Sequence, residues 1–164
     1  MDDIALALKE LGEKNGLAIA LDANGACTLE LEDGRMLCLQ ERANLNELDF
    51  VAILGEVPET ARAEVFTDLL SANFYWKETL GATLSWNADL EQVVLIYPFP
   101  LADATPASLE AIFTRFLELQ AAWKDRLEEL VAAAGEDEGG EEDEEADDEE
   151  RDGPAGNEDL IINP

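Results

Sequence analysis

Residues able to support catalysis are scarce in this chain of 164 residues. It contains no histidine, so neither a Ser-His-Asp nor a Cys-His catalytic arrangement can form within it, and imidazole zinc sites are excluded. Carboxylates are plentiful, but no spacing singles out an acid–base pair, and neither an EF-hand loop nor a glycine-rich phosphate loop occurs. The sequence predicts a protein that is not an enzyme and has no metal site or cofactor.

Negative charge dominates the composition. The chain has 39 acidic and 10 basic residues, a formal net charge of −29. Nucleic acids and anionic membranes repel such a polyanion, because binding to them requires clustered Lys and Arg. No run of about 18 apolar residues could span a bilayer, and the acidic N-terminus is unlike a signal peptide. We expect neutral or basic partners, no nucleic acid, no membrane insertion and a cytoplasmic location.

The acidic residues divide the chain into two parts. Residues 135–164 hold 15 acids and one base, a net charge of −14, which leaves −15 for residues 1–134. Glu, Asp, Gly and Ala fill most of the second part, which has too little apolar surface to offset the entropy of ordering. We predict a folded domain over 1–134 and an acidic disordered tail over 135–164. Its apolar end, Leu160-Ile161-Ile162, is either an ordinary chain end, a short linear motif or a self-docking segment.

The first half of the domain has the pattern of one helix followed by a meander of strands. Residues 2–14 carry apolar residues at helical spacing and end at Asn15-Gly16, which suits a helix C-terminus. Alternating apolar residues separated by turn signals then predict strands. The four predicted strands are 17–21, 27–32, 35–40 and 45–56.

A hairpin turn is expected at Asp33-Gly34, a pair that favours a two-residue type I′ turn. In that register Cys27, Leu29, Met36 and Cys38 share one face of the sheet. Cys27 and Cys38 become diagonal neighbours, so a disulfide is geometrically conceivable. Two reduced buried thiols fit a reducing compartment better.

The second half of the domain has the pattern of a helix, two strands and a helix. The first helix is predicted over 58–74, the strands over 82–86 and 92–97. Pro98 and Pro100 should end the sheet, because proline cannot donate to a ladder. Thr105 can cap the last helix. The order helix, four strands, helix, two strands, helix indicates an α+β fold with a mostly antiparallel sheet.

Six aromatic residues cluster at the junctions of the second helix and the last two strands. A core position is expected for Phe74 and Trp86, whereas the others suit a protein interface equally well, because aromatic side chains are enriched there. The six residues are Phe74, Tyr75, Trp76, Trp86, Tyr97 and Phe99. Together with the two-sided apolar strand 45–56, they predict an oligomeric binding module.

Several sequence blocks in this half, taken in order, resemble the class I type III secretion chaperones, the Tir-chaperone (CesT-like) family. Residues 69–76 read Leu-Leu-Ser-Ala-Asn-Phe-Tyr-Trp and residues 79–86 read Thr-Leu-Gly-Ala-Thr-Leu-Ser-Trp. Val-Val-Leu-Ile at 93–96, Pro-Phe-Pro-Leu-Ala-Asp at 98–103 and a long helix reaching Trp123 follow. The resemblance covers nearly all of residues 1–134.

The resemblance implies a cytoplasmic homodimer of a Gram-negative bacterium that binds the N-terminal region of secreted effector proteins. It would keep that region extended and deliver it to the secretion apparatus, with the secretion ATPase or sorting platform as further candidate partners. For the dimer interface it implies Leu69, Leu70, Asn73, Trp76 and Leu84. For effector binding it implies Leu6, Leu17, Ile19, Leu29, Leu37 and Leu39.

The acidic tail departs from the family pattern, which does not require it, so its role stays open. It leaves one alternative function: an acidic decoy that mimics nucleic acid or shields basic proteins and acts through the tail.

Overall fold

The computed structural model describes residues 2–137, with the side chains of residues 4–135. They form three α-helices, five β-strands and three short 3₁₀ turns. In chain order the helices and strands are α1 (Asp2–Asn15), β1 (Ala26–Glu30), β2 (Met36–Arg42), β3 (Glu47–Glu56), α2 (Arg62–Asn73), β4 (Thr83–Asn87), β5 (Gln92–Pro100) and α3 (Pro106–Asp137). The predicted tail begins inside α3, and residues 138–164 lie outside the described part.

The five strands make one antiparallel sheet in the order β1-β2-β3-β5-β4. All three helices pack on one face of it, with α3 in the centre against β3, α1 and α2. Phe50 of β3 meets Phe116 of α3 with ring centroids 5.7 Å apart, in the middle of the core. The predicted α+β fold is confirmed. No helix within residues 2–137 is long and apolar enough to cross a bilayer.

The predicted strand at 17–21 does not join the sheet, so three strands and not four precede α2. Instead, this segment lies on α1. The Leu17 N–H donates to the Gly12 carbonyl at 2.9 Å, and a Cβ built on Gly12 would come within 2.4 Å of the Leu17 carbonyl oxygen. Burial alternates along residues 17–21, as is typical of an extended chain, but the close approach to Gly12 places this segment against α1 and not in the sheet.

The β1–β2 turn is longer than predicted. Leu31 N–H donates to the Arg35 carbonyl at 2.9 Å and Gly34 N–H to the Leu31 carbonyl at 2.9 Å. Gly34 has a φ of 80°, the left-handed conformation of a three-residue hairpin loop with a bulge. The predicted two-residue turn is therefore wrong.

This one-residue change of register reverses the faces of β2, because side chains alternate along a strand. Leu29 pairs with Leu37 and not with Cys38. Cys27 points into the core, whereas Met36 and Cys38 lie on the opposite face of the sheet. The two thiols are free, and a disulfide between them is excluded by their positions on opposite faces.

Strand β5 continues through Pro98 and Pro100, which were predicted to end it. Pro98 pairs with Asp49 of β3, while the first residue of β4, Thr83, pairs with Ile96. Beyond Ile96, β5 has only one neighbour, so the missing proline N–H groups are tolerated at this free edge.

The helix predicted over 58–74 is interrupted at both ends. A 3₁₀ turn, Glu59–Ala61, precedes α2, and another, Phe74–Trp76, follows it. The start of α3 is as predicted: the Ser108 N–H donates to Thr105 Oγ1 at 3.1 Å, and the Thr105 N–H donates to Ser108 Oγ at 2.9 Å. This reciprocal pair is a capping box, which fixes where α3 begins.

Candidate functional site

A groove lies between α1 and the extended segment that follows it. We call it the α1 groove. It encloses about 460 Å³ and most of its lining is apolar. Its lining residues are Ile4, Ala5, Leu8, Lys9, Ile19, Ala20, Leu21 and Glu41. Its size and apolar walls suit a chain segment that carries large apolar side chains.

One wall of the α1 groove has an unpaired backbone. Between Gly12 and Asp22, only Leu17 donates a backbone hydrogen bond outside α1, and residues 18–21 have no backbone partner in the described part of the chain. Ala18 and Ala20 are exposed, whereas Ile19 between them is buried. An extended backbone with free hydrogen-bonding groups is a template for an added strand.

The end of that wall is fixed by Asp22. Its carboxylate accepts the N–H groups of Asn24 at 2.8 Å and Ala26 at 3.0 Å. These hydrogen bonds, that from Ala26 most of all, hold the pKa of Asp22 below its ordinary value. Because the folded state lowers this pKa, the stabilisation is present above the ordinary carboxyl pKa and is lost as pH falls through the lowered one.

A second candidate surface follows α2. Five large apolar side chains stand exposed between α2 and β4, and we call them the α2–β4 surface. They are Leu70 (71% exposed), Phe74 (66%), Tyr75 (74%), Trp76 (54%) and Leu80 (47%). Several large apolar side chains exposed near one another in the sequence of a small protein indicate an interaction site.

The backbone of the α2–β4 surface is held in an unfavourable conformation. Tyr75, Trp76 and Leu80 have φ values of 56°, 50° and 53°, in the left-handed region that costs a non-glycine residue about 1–2 kcal/mol. The conformation turns the rings of Phe74 and Tyr75 into an edge-to-face pair with centroids 4.7 Å apart. Strain of this kind collects at functional sites.

Asn73 ties the base of this surface to the sheet. Its Nδ2 donates to the Leu84 carbonyl at 2.9 Å and its Oδ1 accepts the Leu84 N–H at 2.9 Å. The amide side chain thus replaces a neighbouring strand at the edge of β4 and fixes the end of α2 against it. A shallow apolar pocket beside it, about 150 Å³, is lined by Phe66, Leu69, Leu70, Asn73, Leu84, Ser85 and Trp86.

Replacing Asn73 by alanine should destabilise the fold by about 2–3 kcal/mol, because two hydrogen bonds are lost and both backbone groups of the buried Leu84 are left without partners. Urea unfolding followed by circular dichroism measures the change. Asn87→Ala is the matched control, since Asn87 Oδ1 accepts only exposed turn N–H groups, and about 0.5 kcal/mol or less is expected. Equal losses in the two variants would contradict this role for Asn73.

Comparison with known proteins decides the family. The family model described as the Tir chaperone protein (CesT) family matches residues 7–124. The chain belongs to the Tir chaperone family. The resemblance found in its sequence is thereby confirmed.

Individual relatives agree with this assignment. The Tir chaperone of Escherichia coli O157:H7 is 29% identical over 106 residues, which are 64% of this chain and 67% of that protein. A chain of the ExsC–ExsE complex has the same fold, with a TM-score of 0.67 and 21% identity over 77% of this chain and 94% of its own length. A chain of the ExoU–SpcU complex from the Pseudomonas aeruginosa type III secretion system has a TM-score of 0.58. It is 19% identical over 78% of this chain and 97% of its own length.

In this Tir chaperone family member the residues expected to bind an effector fall into two groups. Ile19 lines the α1 groove, Leu17 lies half-buried at the start of its wall, and Leu6 is exposed on α1. The other three lie beneath the helices with at most 5% of their surface exposed, so a partner cannot reach them: Leu29, Leu37 and Leu39. The hairpin register puts them on the core face, and we remove them from the candidate surface.

The residues expected at the dimer interface are also divided. Leu70 and Trp76 are exposed on the α2–β4 surface, whereas Leu69 and Leu84 are buried beneath it and Asn73 supports it. Phe74 was predicted to lie in the core and is exposed instead. Trp86 is half-buried, 5.0 Å from the Phe66 ring.

Sequence reasoning missed two groups of residues. Helical periodicity placed Leu8 in α1 but did not show that Ile4, Ala5 and Leu8 face a groove. Phe74 and Leu80 were not singled out for the interface, although the signal for Phe74 was present. Three successive aromatic residues after Asn73 cannot all face inward from a helix that ends there.

Proposed function

We propose that this protein is a cytoplasmic type III secretion chaperone whose α1 groove holds an extended N-terminal segment of a secreted effector. The observation that carries the proposal is the wall at residues 18–21: an extended backbone without backbone partners, next to an apolar groove. A second observation supports it. The similar folds in the ExsC–ExsE and ExoU–SpcU structures each belong to a complex of two proteins.

Two kinds of contact would hold the effector segment. Its backbone would pair with residues 18–21 as an added strand, and its alternate side chains would enter the groove beside Ile4 and Leu8. Each large apolar side chain that becomes fully buried contributes about 1.5–3 kcal/mol. Part of this gain offsets the entropy of ordering the segment.

Charge would assist the encounter. Residues 1–134 carry a net charge of −15, which attracts segments rich in Lys and Arg and raises the association rate more than the final affinity. The proposal therefore includes an association rate that falls as salt is added.

The α2–β4 surface supports a homodimer. An isologous dimer brings the same patch of both copies together, so the exposed Leu70, Phe74 and Trp76 of one copy would be covered by those of its partner. Aromatic residues of this kind dominate the energy of interfaces.

The test titrates the full chain with N-terminal fragments of proteins secreted by the same cell and follows backbone hydrogen exchange. A bound fragment should slow exchange at residues 18–21, whose amides are otherwise unpaired. Fragments from the C-terminal half of the same secreted proteins serve as controls. The proposal fails if N-terminal fragments bind and leave those amides unprotected, or if none binds.

The decoy alternative predicts that binding depends on the tail. No comparison supports it, since the family match ends at residue 124. A variant lacking residues 138–164 keeps all of α3 and should retain fragment binding. Complete loss of binding in that variant would favour the decoy.

A further inference from the structure

A second groove separates the end of β3 from the C-terminal half of α3. Two hollows of about 330 Å³ each lie side by side and share Glu56 and Val131 in their linings; we call the pair the α3 groove. The first hollow is lined by Leu54, Gly55, Glu56, Leu127, Glu128, Val131 and Ala132. The second is lined by Glu56, Val57, Pro58, Glu59, Arg62, Glu91 and Val131.

The floor of the α3 groove is apolar. Leu54, Val57 and Leu127 are at most 3% exposed and close it from below, while Val131 is half-buried along one side. Gly55 lets Leu127 of α3 pack close to the backbone of β3, because a Cβ there would lie 3.3 Å from Cδ2 of Leu127. The floor is therefore closed by apolar side chains of β3 and α3.

The rim of the groove is acidic. Glu56, Glu59, Glu91 and Glu128 are all exposed. Two of these carboxylates have partners: Glu91 bonds Arg62 at 2.5 Å, and Glu128 bonds Lys124 at 2.5 Å. Within residues 4–135, Glu56 and Glu59 make no ion pair, so the middle of the rim carries two uncompensated negative charges beside an apolar floor.

We propose that the α3 groove binds an apolar segment of a partner protein that carries lysine or arginine beside its apolar residues. Apolar side chains would cover Leu54, Leu127 and Val131, and the flanking cations would meet Glu56 and Glu59. This site is separate from the α1 groove and needs neither effector strand addition nor a dimer.

Charge excludes two other occupants. The chain's own apolar end, Leu160-Ile161-Ile162, belongs to a segment with a net charge of −14, which the acidic rim repels. A second copy would bring the same carboxylates face to face, and like charges held close together oppose association. A cationic apolar segment would be stabilised by apolar contact with the floor and by attraction to the rim carboxylates.

The test uses a short synthetic peptide of leucine and lysine, and a counterpart with glutamate in place of lysine. Each is titrated into the full ¹⁵N-labelled chain. The lysine peptide should shift the amide resonances of Gly55, Glu56 and Val131, with an affinity that falls as salt is added. The glutamate peptide should leave them unchanged.

Two double variants distinguish the effect of the rim carboxylates from the effect of the protein's net charge. Glu56→Lys/Glu59→Lys should weaken the lysine peptide about tenfold, because two attractive contacts become repulsive. Glu118→Lys/Asp125→Lys changes the net charge equally on exposed residues that do not line the groove, and it should have a much smaller effect. Equal effects of the two variants, or shifts confined to residues outside the α3 groove, would overturn the proposal.

A tail-deletion variant tests the other occupant. If the Gly55 and Val131 resonances move when residues 138–164 are deleted, without peptide, the groove would be assigned to the tail and the proposal would be wrong.

Discussion

Replacing Leu70 by aspartate is expected to convert the proposed dimer into monomers. Leu70 is 71% exposed at the edge of the α2–β4 surface, and a symmetric interface contains every substitution twice. Losing one buried apolar side chain costs about 1.5–3 kcal/mol in each copy. The dimer therefore loses about 3–6 kcal/mol, which raises its dissociation constant about a hundredfold to ten-thousandfold.

Sedimentation velocity over a range of concentrations measures this change. Leu45→Asp is the matched control, because Leu45 is also an exposed leucine, 51% accessible, but lies in the turn between β2 and β3. Circular dichroism should show both variants folded. A Leu70→Asp protein that remains as dimeric as the parent would remove the α2–β4 surface from the interface.

Replacing Ala5 by glutamate should prevent an effector fragment from entering the α1 groove. Ala5 is an exposed residue that lines this groove on α1, so a longer charged side chain fills the space without disturbing the core. A bound apolar segment would have to bury that carboxylate, which costs more than the about 1–3 kcal/mol of an unpaired neutral polar group, so binding should weaken by more than about a hundredfold.

Calorimetric titration with the same fragment compares Ala5→Glu with Ala122→Glu. Ala122 is an exposed helical alanine on α3 that lines neither the α1 groove nor the α3 groove. The control introduces the same charge into the same kind of element, and its affinity should stay close to that of the parent. If both variants weaken fragment binding equally, the added negative charge alone explains the loss of affinity. The α1 groove would then not be the effector-binding site.

The helices and most strands followed from the sequence because their signals are local. Thr105 and Pro106 marked the start of α3, and the structure has the expected cap. Periodicity could not fix the β1–β2 register, because a glycine such as Gly34 suits both a two-residue and a three-residue loop. That single residue decided whether Leu37 and Leu39 lay on the surface or in the core.

The candidate sites were harder to predict because they depend on contacts between distant residues. The alternation of residues 17–21 indicates an extended chain, but not whether that chain pairs with β1 or lies on α1. The contact with Gly12 places the segment on α1, and no local sequence pattern indicates that contact. Likewise, the exposure of Phe74 follows from the end of α2 at Asn73, where hydrogen bonds to Leu84 stop the helix.

The contact at Gly12 also couples the two walls of the α1 groove. A glycine inside a helix lowers its intrinsic stability by about 0.5–1 kcal/mol relative to alanine, so packing against residues 17–19 adds to the packing against α3 in keeping α1 folded. Those residues in turn have no strand partner and rest on α1. Both walls should therefore open and close as one cooperative unit, and an occupant that touches either wall would stabilise the other.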